Sequence, residues 1–365
     1  MGFVLQRGRG CHQRSRVGHL PHRASGVTMV DAEPPLGAGR GRHLQSLRDL
    51  HEATMGERGR QVTVGEAEFE EHPQAAPVAT TANEIGSAKI RAPLDLPPMQ
   101  PSTHGLARVV AVTNQKGGVG KTTTVINLAA SLAASGLRVL VVDLDAQGNC
   151  ATGLGIDKAR VELTTRDLLL NPERAPECRY ATRIPTLHVV VGDRRLVSVE
   201  DAILSDLGRE SRLSEGLAPL LPHYDLVLID TPPNLGVLAI NALCAADGVL
   251  VPVQTEYFAL EGLAMLLSTV EQVRRRLNPS LGVDGVLLTM HAPTLLNQQV
   301  ANLLREHLGD VVVEPPIRRN IRLAEATSRG EPIHIHAPKS NGGQDHLAVA
   351  NALSSRWGLS RGPQA

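Results

Sequence analysis

Gln115-Lys116-Gly117-Gly118-Val119-Gly120-Lys121-Thr122-Thr123 gathers three glycines, two lysines and two threonines into nine residues. Such a run can hold a phosphate chain. Gly117, Gly118 and Gly120 have no Cβ, so the backbone on either side of Val119 can curl with its N–H groups turned inward around an anion. Lys121 adds a charge that reaches β- and γ-phosphates, and Thr122 offers a hydroxyl to Mg²⁺. A helix beginning here, with Thr123 in its first turn, points its positive dipole end at the same anion. The chemistry implied is the binding of a nucleoside triphosphate. The spacing departs from G-x-x-x-x-G-K-[ST] because Gln115 stands at the first glycine position, followed by a second lysine, Lys116.

Acidic residues supply the other half of such a site. Asp230 closes the apolar run Leu226-Val227-Leu228-Ile229 and precedes Thr231-Pro232-Pro233. An acid at the end of a buried strand is placed to hold Mg²⁺ directly or through water, with a turn or helix-capping role as the alternative. Asp143 and Asp145 follow another apolar run and are expected to point to opposite sides, one orienting an attacking water and the other supporting the metal shell. His334-Ile335-His336 reads as an extended segment with both imidazoles on one side, but a third ligand is not evident and solvated histidines are the expectation. Arg274-Arg275-Arg276 fits either a nucleic-acid contact or the solvated, dipole-complementing end of a long helix. Arg318, Arg319, Arg322 and Arg329 form a second basic cluster, interrupted by Glu325, and are candidates for DNA contact.

The elements that must position these residues are legible from periodicity. Val109-Val110-Ala111-Val112 is a continuous apolar run of the kind buried on both faces of a parallel sheet. After the glycine loop, Val125, Leu128, Ala129 and Leu132 recur at helical spacing, and Gly136 supplies a stop. Leu137 to Val142 is the next strand, followed by Leu187 to Val191, Leu226 to Asp230, Gly248 to Val253 and Val283 to Thr289, with helical stretches between. This alternation predicts an α/β fold with a doubly wound, mostly parallel sheet, whose ligands bind at the carboxyl ends of strands.

Composition narrows the partners. Lys+Arg 37 against Asp+Glu 37 gives no net charge, so any contact with nucleic acid must come from a local patch. Aromatic content of 2% argues against base-stacking platforms of the single-strand or RNA-binding kind. Cys11, Cys150, Cys178 and Cys244 share no C-x-x-C spacing, which disfavours a zinc site or a disulfide framework and fits a reducing cytosol. No run of about eighteen apolar residues is present, nor a signal peptide, so a soluble intracellular protein is expected. Residues 1–105, rich in Arg, Gly, His and Pro and lacking periodicity, read as a disordered extension and linker. Met29 and Met55 are possible alternative starts within it. Residues 106–358 carry the alternating strand–helix pattern with the glycine loop, and 359–365 read as a flexible tail.

The motifs together resemble the ParA/Soj family of partition ATPases, with the deviant Walker A loop that family shares with MinD. The likeness runs from about Arg108 to Trp357 and rests on Asn114 to Thr123, on Asp143-Leu144-Asp145-Ala146-Gln147-Gly148-Asn149 and on Ile229 to Pro233. Glu256 to Gly262, Leu288-Thr289-Met290 and Arg319 to Ala326 extend it. The resemblance implies a cytoplasmic, nucleoid-associated ATP hydrolase that dimerises around two Mg-ATP. The dimer would bind double-stranded DNA without sequence preference and be discharged by a ParB-like centromere-binding partner, segregating chromosome or plasmid DNA. It implies that Lys116 reaches across the dimer to the partner's nucleotide, and that Lys121 and Thr122 serve phosphate and metal. It further implies that Asp145 positions the hydrolytic water and belongs, with Thr122, to the residues of the metal site, and that Asp230 is the strand-end acid near the metal.

Departures from the family pattern are Ala292-Pro293-Thr294 in place of Asp-x-Arg-Thr, Thr327 and Arg318 in place of prolines, and Ala146 in place of a proline. The alternatives are a MinD-like positioning ATPase or an ATP-gated DNA-associated regulator with little turnover. The first would need a basic amphipathic C-terminal helix, and the tail Ser354 to Pro363 carries helix breakers instead.

Overall fold

A computed structural model describes residues 105–256 and 259–359. The expected extension, with Met29, Met55 and Cys11, lies outside them, as do Tyr257, Phe258 and residues 360–365. Among the described residues eight strands form one sheet: β1 (Arg108–Val112), β2 (Val139–Asp143), β3 (Arg179–Ala181), β4 (Leu187–Val190), β5 (Leu226–Asp230), β6 (Gly248–Gln254), β7 (Gly282–Thr289) and β8 (Val312–Val313). Their order is β3-β4-β2-β5-β1-β6-β7-β8, and every pairing is parallel except β3 with β4. The doubly wound expectation holds. Sequence periodicity misses β3 and β8, which with three and two residues are too short to show any.

Both faces of this sheet are covered, which is why β1 and β2 carry no polar alternation. Val109, Ala111, Leu140 and Val142 pack into one cluster, together with α3 (Thr165–Leu170), α4 (Leu196–Ile203), α5 (Arg212–Leu217), α6 (Val237–Ala245), α7 (Ala259–Arg276) and α8 (Leu295–Leu308). Val110, Val112, Val139 and Val141 face the other side, against α1 (Lys121–Ala134), α2 (Asn149–Gly153) and α11 (Asn341–Arg356). Between α8 and α11 lie α9 (Ile321–Ser328) and α10 (Ile333–His336). Helix α1 stops where expected, with Ser135 as its cap and Gly136 at φ 95, a conformation costly for any residue with a Cβ.

Strand register aligns the chemistry. Across the β1–β5 pair Val112 stands opposite Asp230, and across β2–β5 Asp143 stands opposite Asp230. The glycine loop and both strand-end acids therefore leave the sheet side by side at its carboxyl edge. One expectation needs correcting at the chain's end. Leu359, assigned to the flexible tail, is buried with Trp357 in the α1-side core.

Candidate nucleotide site

The glycine loop is pinned at its margins and open in its middle. Asn114 is buried, donates through Nδ2 to the Pro252 carbonyl at 2.7 Å and accepts the Lys116 N–H through Oδ1 at 3.0 Å. On the far side the Thr289 hydroxyl donates to the Val119 carbonyl at 2.8 Å, tying the loop to the end of β7. Between these ties Gly118 has φ 75 and Gly120 φ 88, and a Cβ added at Gly118 would meet nothing within 4 Å. The first turn of α1 has neither a capping side chain nor an acid. Its orphan N–H groups thus face the loop's open space, the arrangement that binds an anion.

The two lysines are placed in opposite ways. Lys121 is 7% exposed, and its Nζ donates to the Lys116 carbonyl at 3.2 Å, inside the loop. Burial draws its pKa below the ordinary value, against the opposing charges of Asp230 and Asp145. Lys116 points outward, with its Nζ 2.6 Å from Glu256 Oε2 and nearly half of each side chain exposed.

Asp230 is fully buried, and its Oδ2 accepts the Thr122 hydroxyl at 2.7 Å and the Cys150 thiol at 3.4 Å. Its Oδ1 is buried with no hydrogen-bond partner among the described residues. Burial pushes this carboxyl up to about 6, with the donors from Thr122 and Cys150 pulling the other way. An orphaned carboxylate oxygen next to a threonine hydroxyl and an open helix N-terminus is the donor set a Mg²⁺–phosphate pair would complete. Thr122 and Asp230 thus come together as expected and fit that ion.

Asp143 and Asp145 separate for a reason different from the one expected. Residues two apart in a strand share a face, so opposite facing is not what a continuing strand would give. Instead β2 ends at Asp143, and the chain turns. Asp143 is fully buried and accepts the backbone N–H groups of Asp145 and Cys150, each at 3.0 Å. Burial and then the Asp230 charge push its pKa well up. It is a structural anchor, out of reach of solvent. Asp145 is half-buried, accepts the Gln147 N–H at 2.9 Å, and lies close enough to Lys121 and Asp230 for their charges to couple.

The basic cluster divides. Arg318 is committed to Asp345, a 5%-exposed acid that it contacts through its N–H at 2.9 Å and its guanidinium at 2.7 Å. Arg322 is paired with Glu325 at 2.7 Å. Arg319 and Arg329 are exposed, with no ion-pair partner among the described residues. Arg274 and Arg275 both pair with Glu271, which supports the solvated helix end. The His334–His336 expectation of an extended segment is wrong. Pro332 precedes a short helical turn, in which residues two apart face different ways, and His336 lies 3.5 Å from Glu331 and 3.7 Å from Glu325.

Several participants give no signal in the sequence. Glu256 has no visible tie to Lys116, 140 residues earlier. Asn114 and Thr289 sit within the motifs, but their buried ties to β6 and the glycine loop follow from the fold alone. Cys150, without a C-x-x-C neighbour, shows no chemistry by spacing. Among the described residues, Asp143, Cys150 and Asp230 are a group whose potential ligand atoms lie within 4.8 Å of one another.

A doubly wound parallel sheet with an anion-ready glycine loop after its central strand, flanked by strand-end acids, defines a P-loop nucleotide-binding protein. The family model described as an AAA domain matches residues 107–283. The sporulation initiation inhibitor protein Soj of Bacillus subtilis (strain 168) is 45% identical over 251 residues, covering 68% of this chain and 99% of that protein. The chromosome partitioning protein ParA of Caulobacter vibrioides (strain NA1000 / CB15N) is 46% identical over 252 residues, covering 68% and 94%. Among solved structures, cobyrinic acid a,c-diamide synthase from Mycobacterium smegmatis, with bound ATP analogue and magnesium, superposes with a TM-score of 0.61. It is 34% identical and covers 70% of this chain and 98% of that one. The chain belongs to the ParA/Soj family of partition ATPases.

No helix among the described residues is long and apolar enough to cross a membrane. The apolar residues Val349, Ala350 and Leu353 of α11 are buried in the core beside α1.

Proposed function

We propose that this chain is a Mg-ATP-dependent ATPase that dimerises around two nucleotides and binds double-stranded DNA nonspecifically in its ATP state. With a ParB-like partner it would segregate chromosome or plasmid DNA in the cytoplasm, on the nucleoid. The observation that carries this reading is the division of labour between the lysines. Lys121 is folded into the loop where a triphosphate would lie, while Lys116 projects outward, where only a second chain's nucleotide would need it.

In this reading the glycine loop and the N-terminal N–H groups of α1 hold the phosphates, and Lys121 draws charge toward the γ-phosphate. Thr122 and Asp230 would hold Mg²⁺, which when bound neutralises charge on the β- and γ-phosphate oxygens. Asp145, on the half-open side, orients a water whose oxygen bonds to the γ-phosphorus while that phosphorus parts from the bridging oxygen, giving ADP and phosphate. Turnover then reverses dimerisation and DNA binding.

Phosphate release measured with and without nonspecific DNA and a ParB-like partner tests this. Stimulated turnover is expected, and none under any condition would sink the enzymatic reading. Asp145→Ala should still bind ATP and dimerise, and should hold DNA persistently. Unchanged turnover in that variant moves the water-positioning role elsewhere.

A further inference from the structure

Oxygen Oδ2 of Asp230 takes two donors, from elements far apart in the chain. Thr122 comes from the first turn of α1 and Cys150 from the first turn of α2. Two donors on one oxygen fix the rotation of a carboxylate about its own bond. The other oxygen, Oδ1, is then held in one place, buried and without a partner among the described residues.

The thiol is itself held from several sides. Its backbone N–H donates to Asp143 Oδ2 at 3.0 Å, and Asp143 stands opposite Asp230 across the β2–β5 register. Gly148 before it, at φ 61, packs so closely on the Gly192 carbonyl that a Cβ would collide with it. Both the thiol and the carboxyl are fully buried, so neither can exchange its partner for water.

We propose that Cys150 is a positioning residue for the metal. By donating to Oδ2 of Asp230 alongside Thr122, it turns Oδ1 toward the cation and keeps the acid from rotating. The thiol takes no part in the reaction and touches no substrate. This rests on the metal role of Asp230 in the proposed function. The principle is that of any outer-shell donor, which orients a metal-binding oxygen without touching the metal.

The test uses the full chain with ADP and Mn²⁺, the free Mn²⁺ being counted by electron paramagnetic resonance. Cys150→Ala removes the donor, and Cys150→Ser restores one on a shorter bond. Because a thiol is a weak donor, Cys150→Ala is expected to weaken Mn²⁺ binding about 3- to 10-fold, the lower part of the usual outer-shell range and below it. Cys150→Ser should recover most of this loss, while ADP affinity in excess EDTA stays the same for all three proteins. Equal Mn²⁺ affinity in Cys150→Ala and the parent overturns the proposal. So does a Cys150→Ser variant as weak as Cys150→Ala, since packing rather than the hydrogen bond would then be at work. If the parent with ADP binds no Mn²⁺ at all, the metal reading of Asp230 fails first, and this inference with it.

Discussion

Lys116 and Lys121 lie five residues apart, yet the structure gives them unlike surroundings. Lys121 is surrounded by the loop it serves, so Lys121→Ala is expected to abolish ATP binding, measurable by nucleotide fluorescence titration. Among the described residues Lys116 forms its ion pair with Glu256, in an exposed pair of the kind that contributes little to stability. Lys116→Ala should therefore melt like the parent and bind ATP, but stay monomeric in light scattering. A dimer in that variant would remove the cross-subunit role. Asp230 offers a second residue-scale outcome. Burial lifts its pKa from 3.8 to about 6, so between those values the folded chain holds a proton that the unfolded chain has released. Stability from this group thus falls as pH rises through that window. Asp230→Asn should stabilise the metal-free protein on the order of 1–2 kcal/mol at pH 7.5, and the gain should shrink as pH drops through about 6. Urea melts at pH 5 and 7.5 read this directly, and an equal effect at both would show that charge burial is not the cause.

At the scale of elements, the strands that carry the site were legible because burial on both faces makes them unbroken apolar runs, as in Leu226 to Ile229. The acids at their ends were legible because polarity returns where the strand leaves the core. What could not be read is how strands stand beside each other. The Cys150–Asp230 contact joins residues 80 apart and exists only because register sets Asp143 beside Asp230. The edge strand β3 was hidden by its length, and α10 because a His-x-His spacing looks alike in a strand and in a single helical turn. The loop from Asp143 to α2 shows how an element can hang on one glycine. Gly148 combines a left-handed φ of 61 with a steric conflict between any added Cβ and the Gly192 carbonyl. Gly148→Ala should cost about 2–4 kcal/mol, more than a left-handed alanine alone would, since backbone must also move. Because that movement would carry Cys150 and Asp145 with it, ATPase activity should fall even where the variant remains folded. A stable variant with full turnover would mean that the α2 turn is more compliant than its packing implies.

For the molecule as a whole, the proposed DNA binding would have to arise from a patch, because 37 basic and 37 acidic residues leave no overall charge. The structure divides the four candidate arginines by what they are already doing. Arg318 grips Asp345 with its backbone N–H and its guanidinium, on an acid almost out of solvent. Arg318→Ala would strand that carboxylate, so its first expected effect is a lower melting temperature. Arg322 is half-neutralised by Glu325, whereas Arg319 and Arg329 are exposed without an ionic partner among the described residues and can approach phosphate at no structural cost. Arg319→Ala and Arg329→Ala should therefore melt like the parent while weakening DNA binding uniformly across sequences. The slope of log affinity against log salt should fall by roughly 1 for each phosphate no longer neutralised, hence about 2 per substitution if both subunits of a dimer lie on the duplex. That doubling ties the DNA surface to dimerisation: in Lys116→Ala, which should remain single, the same arginine substitutions should change the slope by no more than about 1. Parent-like slopes in both arginine variants would place the DNA surface elsewhere on the chain.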